Sequence, residues 1–377
     1  MFNRLYIHVP FCVQKCHYCA FVSASPMMGE LAEYPELLLQ ELQLYPPAGG
    51  PLASIYFGGG TPSLLQPEQI ARLLEGIAAQ VGIQADAEIT LEANPGTVTK
   101  ETLRTFRAAG INRISLGIQS FDDRYLAQLG RVHSTEEARQ AFLNARSAGF
   151  DTISIDLIHA LPGQSLDQWR AELLQAVSLS PEHISIYGLT IEEGTHFARS
   201  YPPDSPLLAD EDRGADMFEL ADELLTGAGF DHYEIANYAR TGKHSRHNCG
   251  YWQRDGYLGL GVAAHSFIRD RHGVRFSNPD TLEEYRRMVV SGVLTRCDKL
   301  RLTEDDAMAE YMYLGLRLAA GVSRTCFERE FGRTVESVYG AAVNELTSFG
   351  LITQNEDALA LTLRGMLLSN QVFNHFV

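Results

Sequence analysis

Between residues 4 and 235 the chain alternates short, β-branched apolar runs with longer amphipathic ones, and this alternation limits the fold more than any other feature. Period-2 runs separated by helical-period runs signal βαβ units, which close onto a parallel sheet. Six runs read as strands, at 5–9, 54–57, 88–92, 113–118, 152–157 and 183–187, and a seventh at 232–235 extends the set. The intervening helices carry end signals. Pro35 and Pro67 stand where a first helical position tolerates a missing N–H. Ser134 with Glu137, and Ser165 with Gln168, have capping-box spacing, while Gly110 and Gly149 suit left-handed helix ends.

Six units are fewer than a closed eight-unit barrel needs, so an α/β fold with an open, partial (β/α)6 barrel is expected over residues 1–235. In such barrels chemistry sits at the C-terminal ends of the strands, where the loops converge. The residues there are Gly58, Gly59, Gly60 and Thr61; Glu92 and Asn94; Gln119; Asp156; and Thr190. Residues 236–300, polar and rich in Gly, His and aromatics, read as a connecting layer. Residues 301–377 read as a small, mainly helical, winged-helix-like domain: helices at 303–319, 324–331 and 335–349, a hairpin at 351–362 and a last helix from Leu363. That domain has six Arg and no Lys against ten acidic residues, and the whole chain carries a formal charge of −16, so nucleic acid is not an expected partner.

Half of the six cysteines lie in one loop directly after the first strand, as Cys12-x3-Cys16-x2-Cys19. The N-terminal stretch lacks a signal-peptide apolar region, and no run of about 18 apolar residues occurs, so a cytoplasmic protein without a transmembrane segment is expected. In a reducing compartment clustered cysteines bind metal or do redox chemistry more often than they form disulfides. Three thiolates can hold three irons of a [4Fe–4S] cluster and leave the fourth iron open. A closed zinc site would need a fourth ligand, from His17 or His8. Cys249, Cys297 and Cys326 stand alone and read as small buried thiols.

With Tyr18 inside the cysteine motif, a strand before it and FGGGTP ending the second strand, the chain resembles the radical S-adenosylmethionine (SAM) superfamily. The resemblance implies a [4Fe–4S] cluster on Cys12, Cys16 and Cys19. It also implies SAM, whose amino and carboxylate groups chelate the open iron and whose reductive cleavage yields a 5′-deoxyadenosyl radical. Tyr6, Tyr18, Gly59, Gly60, Thr61 and Glu92 match positions near SAM, and Gln119, Arg131 and Asp156 match a second SAM site in anaerobic coproporphyrinogen oxidases. Over its whole length the chain is similar to the coproporphyrinogen III oxidase-like group, and within it to the heme-chaperone branch. The oxidases have a further cysteine where this chain has Phe21 and an N-terminal extension that this chain lacks, and His247, Asn248, Tyr251 and Trp252 form the HNxxYW pattern of the chaperones. Heme, recipient apo-hemoproteins and a dimer are the implied partners. His247 would be an axial ligand, with Cys249 a second donor, and Tyr251 and Trp252 would lie on the porphyrin face. An oxygen-independent coproporphyrinogen III dehydrogenase and a zinc-stabilised interaction protein are the alternatives.

Overall fold

The computed structural model describes residues 2–46 and 49–377. Six parallel strands carry the architecture: β1 (Arg4–Val9), β2 (Leu52–Gly59), β3 (Ile83–Ala93), β4 (Arg113–Gln119), β5 (Ile153–His159) and β6 (His183–Gly188). Each pairs in parallel with the next, with register Tyr6 to Tyr56, Tyr56 to Thr90, Glu92 to Ser115, Ser115 to Ser154 and Asp156 to Ser185. The odd residues Leu5, Ile7 and Val9 of β1 are fully buried, as are Ile55, Phe57, Leu91, Ile114, Leu116, Ile155 and Leu157 on its neighbours. They form the main apolar core with Leu38, Leu73, Phe106, Phe142, Trp169 and Leu173 of the surrounding helices. Each such aliphatic side chain stabilises the fold by roughly 1.5–3 kcal/mol.

Alternate residues face the other way, and they are polar. Arg4 reaches Ser54 Oγ at 3.2 Å, Arg113 approaches Glu88 at 3.9 Å, and Ser154 Oγ meets His183 Nδ1 at 2.7 Å. The barrel interior is therefore a hydrogen-bonded stack near its N-terminal mouth.

The sheet is wider than the sequence suggests. Beyond β6 lie β7 (Asp231–Glu234) and β8 (Asn237–Ala239), and before β1 lie β9 (Tyr257–Leu260), β10 (His265–Ile268), β11 (Val274–Ser277) and β12 (Cys297–Arg301). The order is β12-β11-β10-β9-β1-β2-β3-β4-β5-β6-β8-β7. The expected seventh strand thus joins only through β8, antiparallel to it. The expected connecting layer supplies β8 and four further strands of the same sheet, with β9 parallel to β1. Pro35 also differs: it lies inside the helix Glu30–Gln43, where it removes the donor that Leu31 C=O would need. Gln69 Nε2 donates to that carbonyl at 2.6 Å and replaces the lost bond. Pro67, Ser134, Ser165, Gly110 and Gly149 sit at helix ends as expected.

The C-terminal region is helical, with helices Glu304–Gly315, Arg324–Phe331 and Val335–Ser348 and a small antiparallel sheet of β13 (Val322–Ser323), β15 (Ala358–Leu361) and β14 (Ile352–Gln354). It has its own core, including Met308, Met312, Leu316, Phe327 and Leu346. Buried ions tie it to the sheet: Glu310 accepts from Arg254 Nε at 3.2 Å and from Arg275 Nε at 2.6 Å, and Arg254 also pairs with Glu330. Among the described residues no helix is long and apolar enough to cross a membrane.

Candidate functional site

At the C-terminal ends of the parallel strands a cavity of about 440 Å³ opens. Cys12, Cys16 and Cys19 line it together with Tyr18, Gly59, Gly60, Thr61, Glu92, Gln119, Arg131 and Asp156. These residues come from the cysteine loop and from the ends of β2, β3, β4 and β5, with Arg131 just beyond the helix Asp123–Leu129.

Backbone bonds hold the cysteine loop on the sheet. Cys12 N donates to Ala24 O at 3.0 Å and Ala24 N to Pro10 O at 2.9 Å, closing the loop on itself. The glycine run clamps it from below: Gly60 N donates to Val9 O and Thr61 N to Phe11 O. A Cβ at Gly60 would stand 2.6 Å from Phe11 O, and one at Gly59, whose φ is +107°, would stand 2.5 Å from the His8 ring. These glycines make room for the cysteine loop itself, which is a more specific reason than the approach of a ligand.

Arg131 is the organising cation. Its Nη1 approaches Cys16 Sγ at 3.4 Å, and its Nη2 donates to Asn94 Oδ1 at 2.9 Å and to Gly117 O at 2.6 Å, while Nε is buried without a partner. Asn94 is fixed in turn by His133 Nδ1 at 3.0 Å. Gln119, at φ +68°, holds a left-handed conformation that a non-glycine residue adopts at a cost of about 1 kcal/mol or more.

Two carboxylates complete the wall. Burial pushes Glu92 up to about 7, although Tyr56 OH donates to it at 2.7 Å. Burial likewise lifts Asp156 to about 6 against hydrogen bonds from Ser115 and Ser185. Two acids that ionise reluctantly beside a buried guanidinium make a cavity able to bind a zwitterion with a cationic end. The residues therefore fit both expected groups: three thiols on one loop for a cluster, and carboxylates, the uncommitted Arg131 Nε and a glycine floor for SAM. For zinc the fit is poorer. Both His8 nitrogens are hydrogen-bonded, to Tyr6 OH and Val22 O, and His17 Nδ1 is held by Gln128 O at 2.8 Å. Among the described residues no group of three His, Cys, Asp or Glu side chains is arranged for one metal ion.

Tyr6 does not reach the cavity lining; its hydroxyl meets His8 Nδ1 at 3.1 Å and its ring stacks on Tyr56. The larger correction concerns His247, Tyr251 and Trp252. They lie on the helix Arg246–Trp252, which plugs the opposite, N-terminal mouth of the barrel. Backbone N–H groups of Arg246 and His247 donate to the Glu88 carboxylate, and Arg4 Nη1 donates to Arg246 O. The His247 ring is fully buried, with Nδ1 at 2.8 Å from Ser54 Oγ and Nε2 at 2.8 Å from Tyr251 OH, and it stacks on Tyr56. Trp252 packs under the Arg317 guanidinium. An imidazole with both nitrogens engaged offers no lone pair to iron. Burial holds the Cys249 thiol at about 11, so it too is no ready donor. Cys249, Cys297 and Cys326 are half-buried, where full burial was expected. Among the lining residues that escaped the sequence reading are Ser115 and Tyr187, although the period-2 pattern of β4 and β6 puts them on the same face as Asp156.

A parallel partial barrel with three cysteines on the loop after β1 defines the class as a radical SAM protein. A family model described as the radical SAM superfamily matches residues 6–175, and one described as the HemN C-terminal domain matches residues 302–368. The fold is similar to the coproporphyrinogen III oxidase (HemN) from Escherichia coli, with TM-score 0.86 and 24% identity over 100% of this chain and 90% of that one. Curated relatives include "Heme chaperone HemW" of Bacillus subtilis, 36% identical over 99% of this chain and 98% of that one. The protein of the same name from E. coli is 37% identical over 99% and 97%. "Radical S-adenosyl methionine domain-containing protein 1, mitochondrial" of Mus musculus is 35% identical over 96% and 84%. The chain belongs to the HemW family.

Proposed function

We propose that Cys12, Cys16 and Cys19 hold a [4Fe–4S] cluster, that SAM binds beside it, and that the protein is a heme chaperone that binds heme and passes it to apo-hemoproteins. The carrying observation is the single cavity in which three loop cysteines face Glu92, Arg131 and Asp156. When bound, the cluster supplies one iron without a protein ligand and a source of single electrons. The chain's own work is positional. Arg131 neutralises thiolate charge at Cys16, Glu92 and Asp156 accept hydrogen bonds from an ammonium or ribose, and the glycine floor keeps the cysteine loop in register. Membership of the HemW family supports the heme half of the reading.

Phe21, 68% exposed on the cavity rim, stands where the oxidases have cysteine and weighs against porphyrinogen oxidation. The test is anaerobic reconstitution followed by heme titration. About four irons and broad absorption near ~400 nm are expected, both lost in the Cys12, Cys16 and Cys19 to Ala variant. A colourless protein with one zinc would refute the cluster, an absence of saturable heme binding would refute the chaperone, and conversion of coproporphyrinogen with SAM would make it an oxidase.

A further inference from the structure

His133 lies in the short turn between the helices Asp123–Leu129 and Thr135–Ser147 and is 4% exposed. Its ring spans the ends of two parallel strands. Nδ1 stands 3.0 Å from Asn94 Oδ1, just past β3, and Nε2 stands 3.1 Å from the carbonyl oxygen of Ile118 in β4. Both partners are acceptors, and both already accept a hydrogen bond: Asn94 Oδ1 from Arg131 Nη2 at 2.9 Å, and Ile118 O from Ser120 N at 2.9 Å. A guanidinium has no acceptor, so the amide atom that faces it is the oxygen, and turning the amide over would break the Arg131 bond. A neutral imidazole has one N–H and one lone pair, so in either tautomer one nitrogen of His133 points a lone pair at an oxygen. Only the doubly protonated ring satisfies both contacts.

The other described histidines with two bonded nitrogens do not share this conflict. His8, His183 and His247 each have a hydroxyl partner, which donates or accepts as the tautomer requires. His232 also faces two acceptors, but one is the Asp222 carboxylate, which balances an imidazolium. Beside His133 stands a cation instead. Burial, and then the Arg131 charge, hold the ring down to about 4, so it is neutral at pH 7 with one contact unmet. The carboxylates of the two flanking helices, Asp123 and Glu137, pull the other way without bonding the ring, since Asp123 accepts from Thr135 N and Glu137 from Ser134. The strand ends packed against it, residues 94–97 and 118–120, bring no further charge.

Negative charge on the far side of Arg131 works against that balance. The guanidinium reaches Cys16 Sγ through Nη1 at 3.4 Å while Nη2 holds Asn94, so one cation spans from the cysteine loop to the partner of His133. An electron added to a cluster on that loop offsets this cation, and in a buried setting its field extends to the ring. We infer that His133 is the positioning residue for Arg131, acting through Asn94, and that it takes up one proton as the cluster takes up one electron. The electron comes from an external one-electron reductant and the proton from solvent. That proton settles on the ring nitrogen that lacked one, and no other bond forms or breaks. The inference rests on the proposed [4Fe–4S] cluster. Reduction is thereby tied to pH, because two binding events that favour each other do so reciprocally.

The test is a mediated redox titration of the anaerobically reconstituted full chain, with dithionite as reductant and electron paramagnetic resonance as readout, from about pH 5.5 to about 8.5. Wild type, His133→Gln and Asn94→Ala are compared, each checked for iron content and far-UV circular dichroism. The wild-type potential should fall as pH rises, approaching about 59 mV per pH unit, the tenfold change per unit of one proton per electron, and level off on the alkaline side. His133→Gln should give a potential that is flat with pH at unchanged iron content, an effect that a purely structural ring would not produce. Asn94→Ala should lose most of the slope. A flat profile in wild type holding about four irons, or the wild-type slope in His133→Gln, overturns the inference while the cluster reading stands. A wild type that binds no cluster overturns that reading, and the inference with it. Should His133→Gln lose structure, Asn94→Ala decides, and a full slope there overturns the route through Asn94.

Discussion

Replacing His247 by Ala is expected to damage stability and leave heme binding intact. The buried imidazole bridges β2 and the plug helix through two hydrogen bonds of 2.8 Å, to Ser54 and Tyr251. Ser54 Oγ keeps Arg4 as a partner at 3.2 Å, whereas among the described residues the Tyr251 hydroxyl has no hydrogen bond besides that to His247. The loss is then about 1 kcal/mol for each bond, plus about 1–3 kcal/mol for a stranded hydroxyl and a further contribution from the void beside Tyr56. A total of at least about 3–5 kcal/mol is expected in urea unfolding at pH 7. The imidazole also imposes a pH signature. Burial, and then the Arg4 charge, hold it down to about 3, so the native state binds its proton less readily than the unfolded chain. Its contribution is present above the ordinary histidine pKa near 6.5 and is lost as pH falls from there toward 3, a slope the variant should lack. Wild-type stability in His247→Ala, or loss of the heme spectrum from a stable variant, would refute this account.

Glu92 gives the opposite slope. Its carboxyl is raised from 4.5 to about 7, so the native state holds a proton that the unfolded chain has released. Its stabilisation is complete below pH 4.5 and lost as pH rises through 7, by up to about 3 kcal/mol, and thermal unfolding of ligand-free Glu92→Gln should be flatter across that window. Glu310→Ala should cost about 3 kcal/mol, because half-buried Arg275 loses its carboxylate partner and buried Arg254 keeps only Glu330 and the His272 carbonyl. Calorimetry should then separate the C-terminal unfolding from that of the barrel, and a single unshifted transition would count against the ionic tie.

The parallel strands and the cysteine loop were legible because their signals are local: alternation over five or more residues, capping boxes, and three thiols in eight positions. β9 to β12 were not, since runs of four or five residues in a Gly- and His-rich stretch carry little periodicity, and the partner that stabilises β9 lies at Arg4 to Ile7, some 250 positions away. The HNxxYW segment shows residue types suited to heme but nothing about which mouth of the barrel it fills. A usable clue was present. His247 and Tyr251 are four apart, and Ser245 caps the helix by accepting from Asn248 N, so the motif could have been read as a short helix bonding along its own face. Pro35 misled for a simpler reason, as a side chain from a different helix supplies the donor it removes.

The position of β1 in the sheet has a consequence for how the protein is made. Its β2 flank is available once about 60 residues exist, but its other neighbour, β9, begins at Tyr257. At typical synthesis rates of about 5–20 residues per second, β1 waits roughly 10–40 s with one open edge. Throughout that interval the cysteine loop hangs from a half-paired strand, and the HNxxYW plug that seals the barrel floor is also only then emerging. The loop is therefore first held between two paired flanks only after Leu260 has been made, well after its own three cysteines.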